Sequence, residues 1–426
     1  MKRIALVGTG IAGMSCAYRL YPHADIQVFE REDRVGGHTH TVDVKEGERT
    51  VSMDTGFMVY NEVTYPLLVR LFDELGVETM ETDMSFGVHH LPDQLYFKGS
   101  NLSSLFAQRR NLFRPAFWRM LKDILKFNRS AQGLLSQPRN LDLSLSDFVG
   151  QLGLGKAFLN YYLLPMTSAI WSTPPDEMLN FPAWTLMTFL RNHGLLGVNS
   201  HFQWRTVRGG SRAYRDRLIE PFLDRFHLSR PASSVRRTDS GVEVVDGDGR
   251  TETFDAVVLA THADEALALL ETPDSDQQRL LSAFNYSDNG ILVHTDTNVM
   301  PPSPKAWASW NYRLDRDGDG RIEASTHYWM NSLQQVSDGV PYFVSVNGHD
   351  QVAPEKVLRR MQYSHPQFNR ATTLAQTELH QLNQNGPIYF CGSYFRYGFH
   401  EDALMSGYAA AERILNPSAT NEPLPL

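Results

Sequence analysis

The sequence predicts an α/β fold divided into two lobes. At 426 residues the chain exceeds the length at which one hydrophobic core usually stops growing, so two structural lobes are expected. A short apolar run at residues 4–7 is followed by a glycine-rich turn and a helix-like stretch at 14–20. A second apolar run at 26–29 completes a strand, helix, strand unit, which is the repeating element of parallel α/β sheets.

Charge and cysteine content exclude several classes of protein. The formal net charge of −8 and the pI near 6.0 argue against general affinity for nucleic acid, whose phosphates select basic surfaces. Cys16 and Cys391 are too few for a disulfide framework or a cysteine-based zinc site, which favours a reducing compartment. No apolar run reaches the roughly 18 to 20 residues of a membrane span. The glycine motif begins so near Met1 that no cleaved leader is expected, and a cytoplasmic protein is predicted.

The turn after the first strand carries the glycines of a Rossmann-type dinucleotide site. Gly8 permits a tight turn, Gly10 lets a pyrophosphate approach the backbone, and Gly13 allows close packing of helix on strand. The helix N-terminus would then face the phosphates. Glu30 ends the second strand, twenty residues beyond Gly10, where its carboxylate can bind a ribose diol and would repel a 2′-phosphate. These features predict an adenine dinucleotide as ligand.

A second glycine pair favours FAD over a nicotinamide cofactor. Gly36 and Gly37 follow Glu30 closely and precede a strand pattern and the segment 51–57. The pair adds backbone N–H groups for a long ligand that carries two phosphates, and it has no evident role in helix packing. The sequence therefore predicts a phosphate loop longer than a nicotinamide enzyme requires.

With these motifs the sequence resembles the flavin-containing amine oxidase superfamily, which also includes protoporphyrinogen oxidases and carotenoid desaturases. Further segments extend the resemblance over the whole chain. They are the Gly-Gly of residues 207–211, the strand 228–232 whose backbone pairs with adenine, the returning strand 254–261, and the terminal flavin motif at 388–393 and 398–407. A helix at 408–415 is predicted to follow the terminal motif.

The resemblance implies a Rossmann-type (GR2-like) FAD-binding domain assembled from separated segments. It also implies an α+β substrate domain with helical and antiparallel-sheet parts. Residues 1–80, 205–269 and 386–426 are assigned to the FAD-binding domain, and residues 81–204 and 270–385 to the substrate domain.

The resemblance also implies which residues form the site. The backbone at His400 is expected to donate to the flavin pyrimidine from a helix N-terminus. His400, Glu401 and Tyr60 are the candidate catalytic residues, with Asn61 as a further polar group; whether His400 acts through its side chain or only its backbone stays open. No metal site is predicted. The predicted cofactor-binding residues are Gly8, Gly10, Ile11, Ala12, Gly13, Glu30, Arg31, Gly36, Gly37, His38, Thr39, Gly56, Phe57, Met58, Val59, Ala232, Thr261, Gly392, Ser393, Phe399, His400 and Ala403.

The chain departs from the amine oxidase pattern at three points. His38 stands where the family usually has arginine after the second glycine pair, so Arg31 or Arg34 would balance the phosphate charge. The strand at 289–294 lacks the lysine that holds a water near the flavin in amine oxidases. Neither cysteine lies where some members attach the flavin covalently, which implies non-covalent FAD.

These departures, with residues 306–312 and 328–331, resemble a narrower group of bacterial flavoproteins often encoded beside cyclopropane fatty acid synthases. The association points to lipid acyl chains as substrate. Three hypotheses stay open: an FAD enzyme transferring hydride on an apolar acyl or isoprenoid chain, an amine oxidase, and a non-catalytic flavoprotein subunit that partners a lipid methyltransferase. The missing lysine disfavours the second.

Two segments of the substrate lobe have two interpretations each. Residues 101–130 combine seven basic residues with one acid, Asp123, and interleaved aromatic residues. This pattern is typical of a helix in peripheral contact with a membrane, or of a helix that packs its apolar stripe on the lobe and solvates its basic face. Residues 181–204, rich in aromatics, either line an apolar tunnel over the flavin or form plain core.

Two metal-like patterns are interpreted as structural. Residues 315–322 imitate a calcium loop, but its twelfth position is Thr326 and not a glutamate, so a hairpin turn is predicted. The histidines show no HExxH-type spacing, so His89, His90, His262 and His327 are predicted to be structural.

Overall fold

The computed structural model describes residues 1–171, 175–197, 202–316, 319–320 and 322–418. In chain order its strands are β1 (Arg3–Val7), β2 (Asp25–Phe29), β3 (Thr41–Glu46), β4 (Arg49–Asp54), β5 (Tyr60–Asn61), β6 (Thr79–Thr82), β7 (Phe86–His90), β8 (Leu95–Lys98), β9 (Trp204–Val207), β10 (Phe226–His227), β11 (Ala232–Thr238), β12 (Gly241–Asp246), β13 (Thr251–Phe254), β14 (Ala256–Leu259), β15 (Asn285–His294), β16 (Trp310–Arg316), β17 (Ile322–Trp329), β18 (Phe343–Val346), β19 (Val357–Gln367) and β20 (Ile388–Phe390). Its α-helices are α1 (Ile11–Leu20), α2 (Pro66–Leu75), α3 (Leu102–Leu105), α4 (Pro115–Leu135), α5 (Leu145–Gln151), α6 (Lys156–Phe158), α7 (Leu164–Trp171), α8 (Pro175–Met178), α9 (Ala183–Asn192), α10 (Arg212–Ile219), α11 (Ala263–Leu269), α12 (Ser275–Leu281), α13 (Met330–Leu333), α14 (Arg370–Gln376) and α15 (His400–Leu415).

A parallel sheet of five strands forms the centre of the cofactor lobe, in the order β10-β2-β1-β14-β20. Ile4 of β1 pairs with Ile26 on one side and with Ala256 on the other. The strands come from segments far apart in sequence and lie beside one another as predicted. The α/β fold with a Rossmann-type unit is therefore confirmed.

The strand β1 is an unbroken apolar run because both faces of the sheet are covered. Ile4 and Leu6 face the core that contains α1 and α15, whereas Ala5 and Val7 face a second core shared with helices of the substrate lobe. All four side chains are at most 5% exposed. A strand buried on both sides has no polar face to interrupt the run.

The prediction of a terminal helix confined to 408–415 is wrong, because α15 already begins at His400. The terminal flavin motif is thus partly helical. Gly407 lies inside α15, where a Cβ would come within 2.3 Å of the carbonyl oxygen of Ala12. The glycine permits close packing of α15 on α1 and does not interrupt the helix. The helix predicted at 14–20 likewise begins earlier, at Ile11.

The predicted strand at 228–232 is also wrong. Residues 228 and 229 form a turn, with φ of 53° at Ser229, and β11 begins only at Ala232. The turn is held by the N–H of Ser229, which donates to the carbonyl oxygen of Glu32 at 2.8 Å. β11 then joins an antiparallel sheet in the order β11-β12-β13.

The substrate lobe combines helices with a seven-stranded sheet in the order β19-β15-β18-β17-β16-β7-β8. Its pairs are antiparallel except for β16 with β7, so the predicted α+β character is confirmed. β16 and β17 form the predicted hairpin and pair Arg316 with Ile322; residues 317, 318 and 321 of its turn lie outside the described residues. His327 of this sheet bonds Ser345 at 2.6 Å, a contact within the fold.

A small sheet in the order β5-β9-β6 joins the two lobes. Tyr60 of β5 and Glu81 of β6 both pair with Arg205 of β9. Because this sheet crosses the domain limits proposed at residues 80 and 204, the limits themselves stay a prediction.

α4 spans 21 residues and is amphipathic. It buries Phe117, Met120 and Phe127, whereas Trp118 and Leu125 are exposed. Within the described ranges, no helix has both the length and the apolar character needed to cross a membrane.

Candidate functional site

The glycine-rich turn between β1 and α1 has the geometry that a dinucleotide requires. Gly8 has a φ of 100°, and a Cβ there would lie 2.7 Å from the carbonyl oxygen of Ala260. A Cβ at Gly13 would lie 2.1 Å from the carbonyl oxygen of Gly8, so only glycine lets α1 pack this closely. A Cβ at Gly10 would meet nothing within 4 Å. The open space beside the Cα of Gly10, at the N-terminus of α1, fits a pyrophosphate.

Glu30 lies at the end of β2, next to this turn, and is 8% exposed. Its Oε2 accepts from the backbone N–H of Thr9 at 3.1 Å and from the Thr9 hydroxyl, and its Oε1 accepts from the N–H of Glu32 at 3.0 Å. Each carboxylate oxygen can accept more than one hydrogen bond. The carboxylate is therefore fixed in place with acceptor capacity left for ribose hydroxyls.

The second glycine pair contacts the first glycine turn. Gly36 and Gly37 have φ values of 123° and 55°, and a Cβ at Gly37 would lie 3.2 Å from the Cα of Gly10. The N–H of Gly36 donates to the hydroxyl of Thr9 at 3.1 Å. The two turns are thus in contact and form one surface of backbone groups, as expected for a ligand with two phosphates.

Two arginines flank the second pair. Arg34 donates to the carbonyl oxygen of Gly37 at 2.9 Å, and Arg215 donates to that of Val35 at 3.3 Å. Arg31 instead pairs with Glu265 at 2.6 Å. Of the two arginines expected to balance phosphate charge, Arg34 lies against the loop and Arg31 is engaged by another carboxylate.

His38 provides an unsatisfied polar atom beside this loop. Its ring lies 4.7 Å from that of Tyr363 and 5.3 Å from that of His365. Burial and the neighbouring histidines hold the pKa of His38 well below its usual range, so the imidazole is neutral. Its Nε2 is buried and has no hydrogen-bond partner among the described residues. A buried polar atom of this kind is normally satisfied by a ligand or by water, and the atom fits a role in holding FAD.

His400 is the first residue of α15, so its backbone N–H lies at the positive end of a 16-residue helix. Its Nε2 bonds the hydroxyl of Tyr214, which also bonds the hydroxyl of Thr39 at 2.5 Å. The ring stacks on Phe57 with centroids 3.8 Å apart. Burial lowers the pKa of His400 to about 3, so the side chain is neutral and committed to the fold. This favours the interpretation in which His400 acts through its backbone.

The other two candidate catalytic residues have structural contacts. Both oxygens of Glu401 accept from backbone N–H groups at the N-terminus of α2, at 2.8 and 3.0 Å, and burial raises the pKa of Glu401 to about 7. Tyr60 is 3% exposed and packs its ring 5.2 Å from that of Phe72. Asn61 accepts two N–H groups of its own turn. These contacts do not support a catalytic role beside His400.

Asp54 joins two segments that the sequence predicts separately. It is 1% exposed and accepts from the N–H of Ser211 at 2.8 Å and from the amide of Gln334 at 2.7 Å. Burial raises the pKa of Asp54. Close by, a Cβ at Gly56 would lie 2.2 Å from the carbonyl oxygen of His38. The segments 54–57 and 207–211 therefore meet at the second glycine pair.

The remaining predicted cofactor residues lie mostly near the carboxyl ends of the parallel strands, which is where α/β sheets bind ligands. They are Ile11 and Ala12 in the first turn of α1, Met58 and Val59 after Phe57, Thr261 after β14, Gly392 and Ser393 after β20, Phe399 and Ala403 at the start of α15, and Ala232 at the start of β11.

Four site residues were not predicted from the sequence: Tyr214, Arg215, Tyr363 and His365. Tyr363 and His365 are two residues apart on β19 and therefore share a face. That spacing is visible in the sequence, but nothing local indicates that β19 passes His38. Tyr214 follows the Gly-Gly of residues 209–210, which is a weak signal for its position.

The described part of the aromatic stretch 181–204 is buried core, with Phe181, Leu186 and Phe189 at most 3% exposed. This favours plain core over a tunnel, and residues 198–201 lie outside the described residues. The ring of Phe189 nevertheless stacks on that of Phe399 with centroids 5.1 Å apart. The core therefore forms a wall directly beside the N-terminus of α15.

Comparison with known proteins agrees with this geometry. The family profile described as flavin containing amine oxidoreductase matches residues 11–295 and 322–415. The flavin-containing amine oxidase A of Canis lupus familiaris is 26% identical over 247 residues, which cover 57% of this chain and 46% of that protein. The chain thus spans about half the length of this relative.

Solved structures share the fold over nearly the whole chain. A redesigned putrescine oxidase has a TM-score of 0.70 at 16% identity and covers 97% of this chain and 99% of its own. A CLA-producing fatty acid isomerase from P. acnes has a TM-score of 0.66 at 14% identity and covers 98% and 99%. From the family match and the glycine loops that fit the cofactor, we conclude that the chain belongs to the family of flavin-containing amine oxidoreductases and that its cofactor is FAD.

Proposed function

We propose that the chain is an FAD-dependent oxidoreductase that performs flavin-mediated hydride transfer on an apolar substrate of the lipid acyl class. The aromatic wall beside α15 carries this proposal. Phe399 directly precedes His400, and its ring stacks on that of Phe189. The ring centroids of Trp171 and Phe189 are 4.7 Å apart. Aromatic rings offer a large apolar contact area to a hydrocarbon chain and no charge for a polar group.

The carboxylates nearest the wall are not available to bind an ammonium group. Glu401 is engaged at the N-terminus of α2. Asp402 accepts from the N–H of Phe399 at 2.9 Å and lies 3.5 Å from Arg396. Both carboxylates are at most 3% exposed. Neither carboxylate is free to form an ion pair with an ammonium group, which favours an apolar substrate.

The strand that carries a lysine in amine oxidases has an asparagine in this chain. Asn289 of β15 is 1% exposed, and its amide group donates to the carbonyl oxygen of Ser287 at 2.9 Å and bonds His365 at 3.1 Å. The amide has no titratable proton to exchange with a water. This difference is a second argument against amine oxidation.

Bound at this site, FAD supplies the two-electron redox chemistry. The chain's own groups would bind and orient the cofactor: the N-terminus of α1 would hold the phosphates and Glu30 would hold the ribose. The backbone N–H of His400 and the positive end of α15 would stabilise negative charge on the flavin ring. The Nε2 of His38 is available to hydrogen-bond the cofactor.

We infer that FAD is held without a covalent bond. Cys16 and Cys391 are both fully buried, and burial raises the pKa of each thiol above its usual range. A buried thiol with a raised pKa forms little thiolate and is a poor nucleophile. Denaturation should therefore release all flavin into the supernatant, and flavin retained on the chain would contradict the inference.

The narrower identity rests on two similarities. A fatty acid isomerase shares the fold of this chain. The sequence also resembles flavoproteins encoded beside cyclopropane fatty acid synthases. The first is a likeness of fold that putrescine oxidase shares, so the second carries the proposal of a lipid acyl substrate and of a lipid methyltransferase as partner.

Anaerobic mixing tests the proposal. The holoenzyme is mixed with detergent-dispersed phospholipids that carry unsaturated or cyclopropane acyl chains, and in parallel with putrescine and cyclohexylamine. We expect lipid to change the visible flavin absorbance, by reducing the oxidised enzyme or by reoxidising the reduced enzyme, and amines to leave it unchanged. Phe399→Tyr, which adds one hydroxyl to the wall, should slow the lipid reaction several-fold without changing FAD content. Reduction by amines alone would refute the proposal, and no reaction with either class would leave the non-catalytic flavoprotein.

A further inference from the structure

Large apolar side chains are exposed together on one part of the substrate lobe. Phe113 is 85% exposed, Leu102 75%, Leu125 55%, Trp118 45% and Leu112 39%. They belong to α3, α4 and the 3₁₀ turn Arg109–Phe113 between them. Exposed apolar groups that cluster in this way mark interaction sites, whereas single exposed residues are ordinary. We name these five residues, together with the basic residues that lie between them and just after them in sequence, the basic apolar surface.

The charges of the basic apolar surface are nearly all positive. Its exposed cations are Arg109, Arg110, Arg119, Lys122, Lys126 and Arg129. The single acid between residues 101 and 130, Asp123, accepts the N–H of Gly155 at 2.9 Å and is half-buried. None of these cations has an ion pair within 4 Å to an acid of the described part of the chain. Their charges are therefore exposed to solvent and available to an external partner.

The apolar groups are held outward by ordered contacts. The Nε1 of Trp118 donates to the carbonyl oxygen of Leu112 at 2.9 Å, and the ring of Phe106 packs 5.4 Å from that of Trp118. Arg110 and Arg114 donate to the backbone carbonyl oxygen of Gln94. The turn that carries Phe113 is thus anchored at both ends. The backbone that presents the exposed ring of Phe113 is therefore ordered.

We propose that the basic apolar surface docks the protein on a bilayer that contains anionic phospholipid. A surface that combines unpaired cations with protruding aromatic and aliphatic side chains fits the headgroup layer, where the cations meet phosphates and the apolar groups enter the acyl boundary. The net charge of −8 means that the protein as a whole is repelled by such a bilayer. This surface combines exposed cations with exposed apolar side chains, and that combination favours one orientation of docking.

The helix α4 connects the basic apolar surface to the aromatic wall through its packing. The opposite face of α4 packs on α9, and α9 carries Phe189, which stacks on Phe399. The docking surface and the cofactor site are thus linked by two packed helices. The docking proposal itself rests on exposure and charge alone and stands whether or not the substrate is a lipid.

Vesicle sedimentation of the full-length holoenzyme tests the proposal. The probes are phosphatidylcholine vesicles with and without phosphatidylglycerol, at low and high salt. We expect binding that requires phosphatidylglycerol and that high salt weakens at least tenfold. Phe113→Ser and Lys122→Glu should each reduce binding about tenfold or more. The matched controls Leu223→Ser and Arg359→Glu, at exposed positions elsewhere, should bind as the wild type does.

Flavin content and thermal unfolding of every variant establish that it is folded, which is expected because the substituted side chains are exposed. Absence of wild-type binding to phosphatidylglycerol vesicles would overturn the proposal. Equal loss in the controls would also overturn it. A dimer in gel filtration that Phe113→Ser abolishes, together with no vesicle binding, would assign the surface to a second copy of the chain instead.

Discussion

The backbone N–H of His400 is the group whose removal tests the cofactor site most directly. Proline at this position removes the N–H, whereas alanine keeps it. Both variants lose the imidazole, its bond to Tyr214 and its stacking on Phe57, so those losses cancel in the comparison. Proline is compatible with the fold because His400 is the first residue of α15 and Phe399 before it is extended, with φ of −99° and ψ of 171°.

The size of the effect follows from one hydrogen bond to a charged group. Such a bond contributes about 1.5–3 kcal/mol. For a two-electron couple, about 30 mV corresponds to about 1.4 kcal/mol. We therefore expect the reduction potential of FAD in His400→Pro to lie about 30–60 mV below that in His400→Ala.

Anaerobic titration of both variants against a reference dye measures the two potentials. FAD content and thermal unfolding should match between the variants, because the N–H of a first helical residue has no partner within the helix. Equal potentials would show that the N–H does not act on the flavin. A potential of His400→Ala that falls as far below the wild type as that of His400→Pro would assign the function to the side chain.

Three further substitutions test the site and its scaffold. Gly10→Ala should weaken FAD binding at least tenfold, and unchanged affinity in a flavin titration would contradict the pyrophosphate assignment. The apoprotein should be as stable as the wild type or about 0.4–1 kcal/mol more stable, because the φ of −59° at Gly10 suits alanine. Asp54→Asn should lower the free energy of unfolding, measured with urea, by about 2–4 kcal/mol, whereas the control Asp43→Asn at an exposed position should lower it by less than about 1 kcal/mol. Similar losses in the two variants would contradict the view that the buried hydrogen bonds of Asp54 stabilise the fold. Burial raises the pKa of Glu401 from 4.5 to about 7, so the carboxyl group binds its proton more tightly in the folded state than in the unfolded state. The free energy of unfolding should therefore fall by up to about 3 kcal/mol as the pH rises from about 4.5 to about 7. The difference between the free energies of unfolding at about pH 5 and about pH 8, measured with urea, should be smaller in Glu401→Gln than in the wild type. An equal difference in the two proteins would refute the conclusion that burial raises the pKa of Glu401.

The local parts of the cofactor site could be predicted because their signals are local. Gly8, Gly13 and Glu30 lie within one strand, turn, helix, strand unit, and the structure gives each glycine the close contact expected of it. The second glycine pair was equally predictable, since Gly36 and Gly37 both need a positive φ. Each of these positions depends on backbone geometry within a few residues.

The parts that depend on distant segments could not be predicted. Tyr214 and Thr39 are 175 residues apart and bond each other next to His400, and no local pattern encodes that contact. The start of α15 was placed too late because Gly407 contacts α1, a neighbour absent from any local window. Glu401 looked catalytic from its motif, but the N-terminus of α2 uses its carboxylate.

The order of strands in the parallel sheet has a consequence for biosynthesis. β1 is synthesised well before its neighbour β14, at residues 256–259, and β14 pairs with β20, at residues 388–390. The helix α15, which packs on α1, follows later still. The edge of β1 that pairs with β14 and the side of α1 that packs on α15 thus stay uncovered until those segments are made, and they are open to chaperones and to aggregation in that interval. The His400 end of the cofactor site forms only once α15 has been made, so complete binding of the flavin is expected to follow synthesis of residues 388–415.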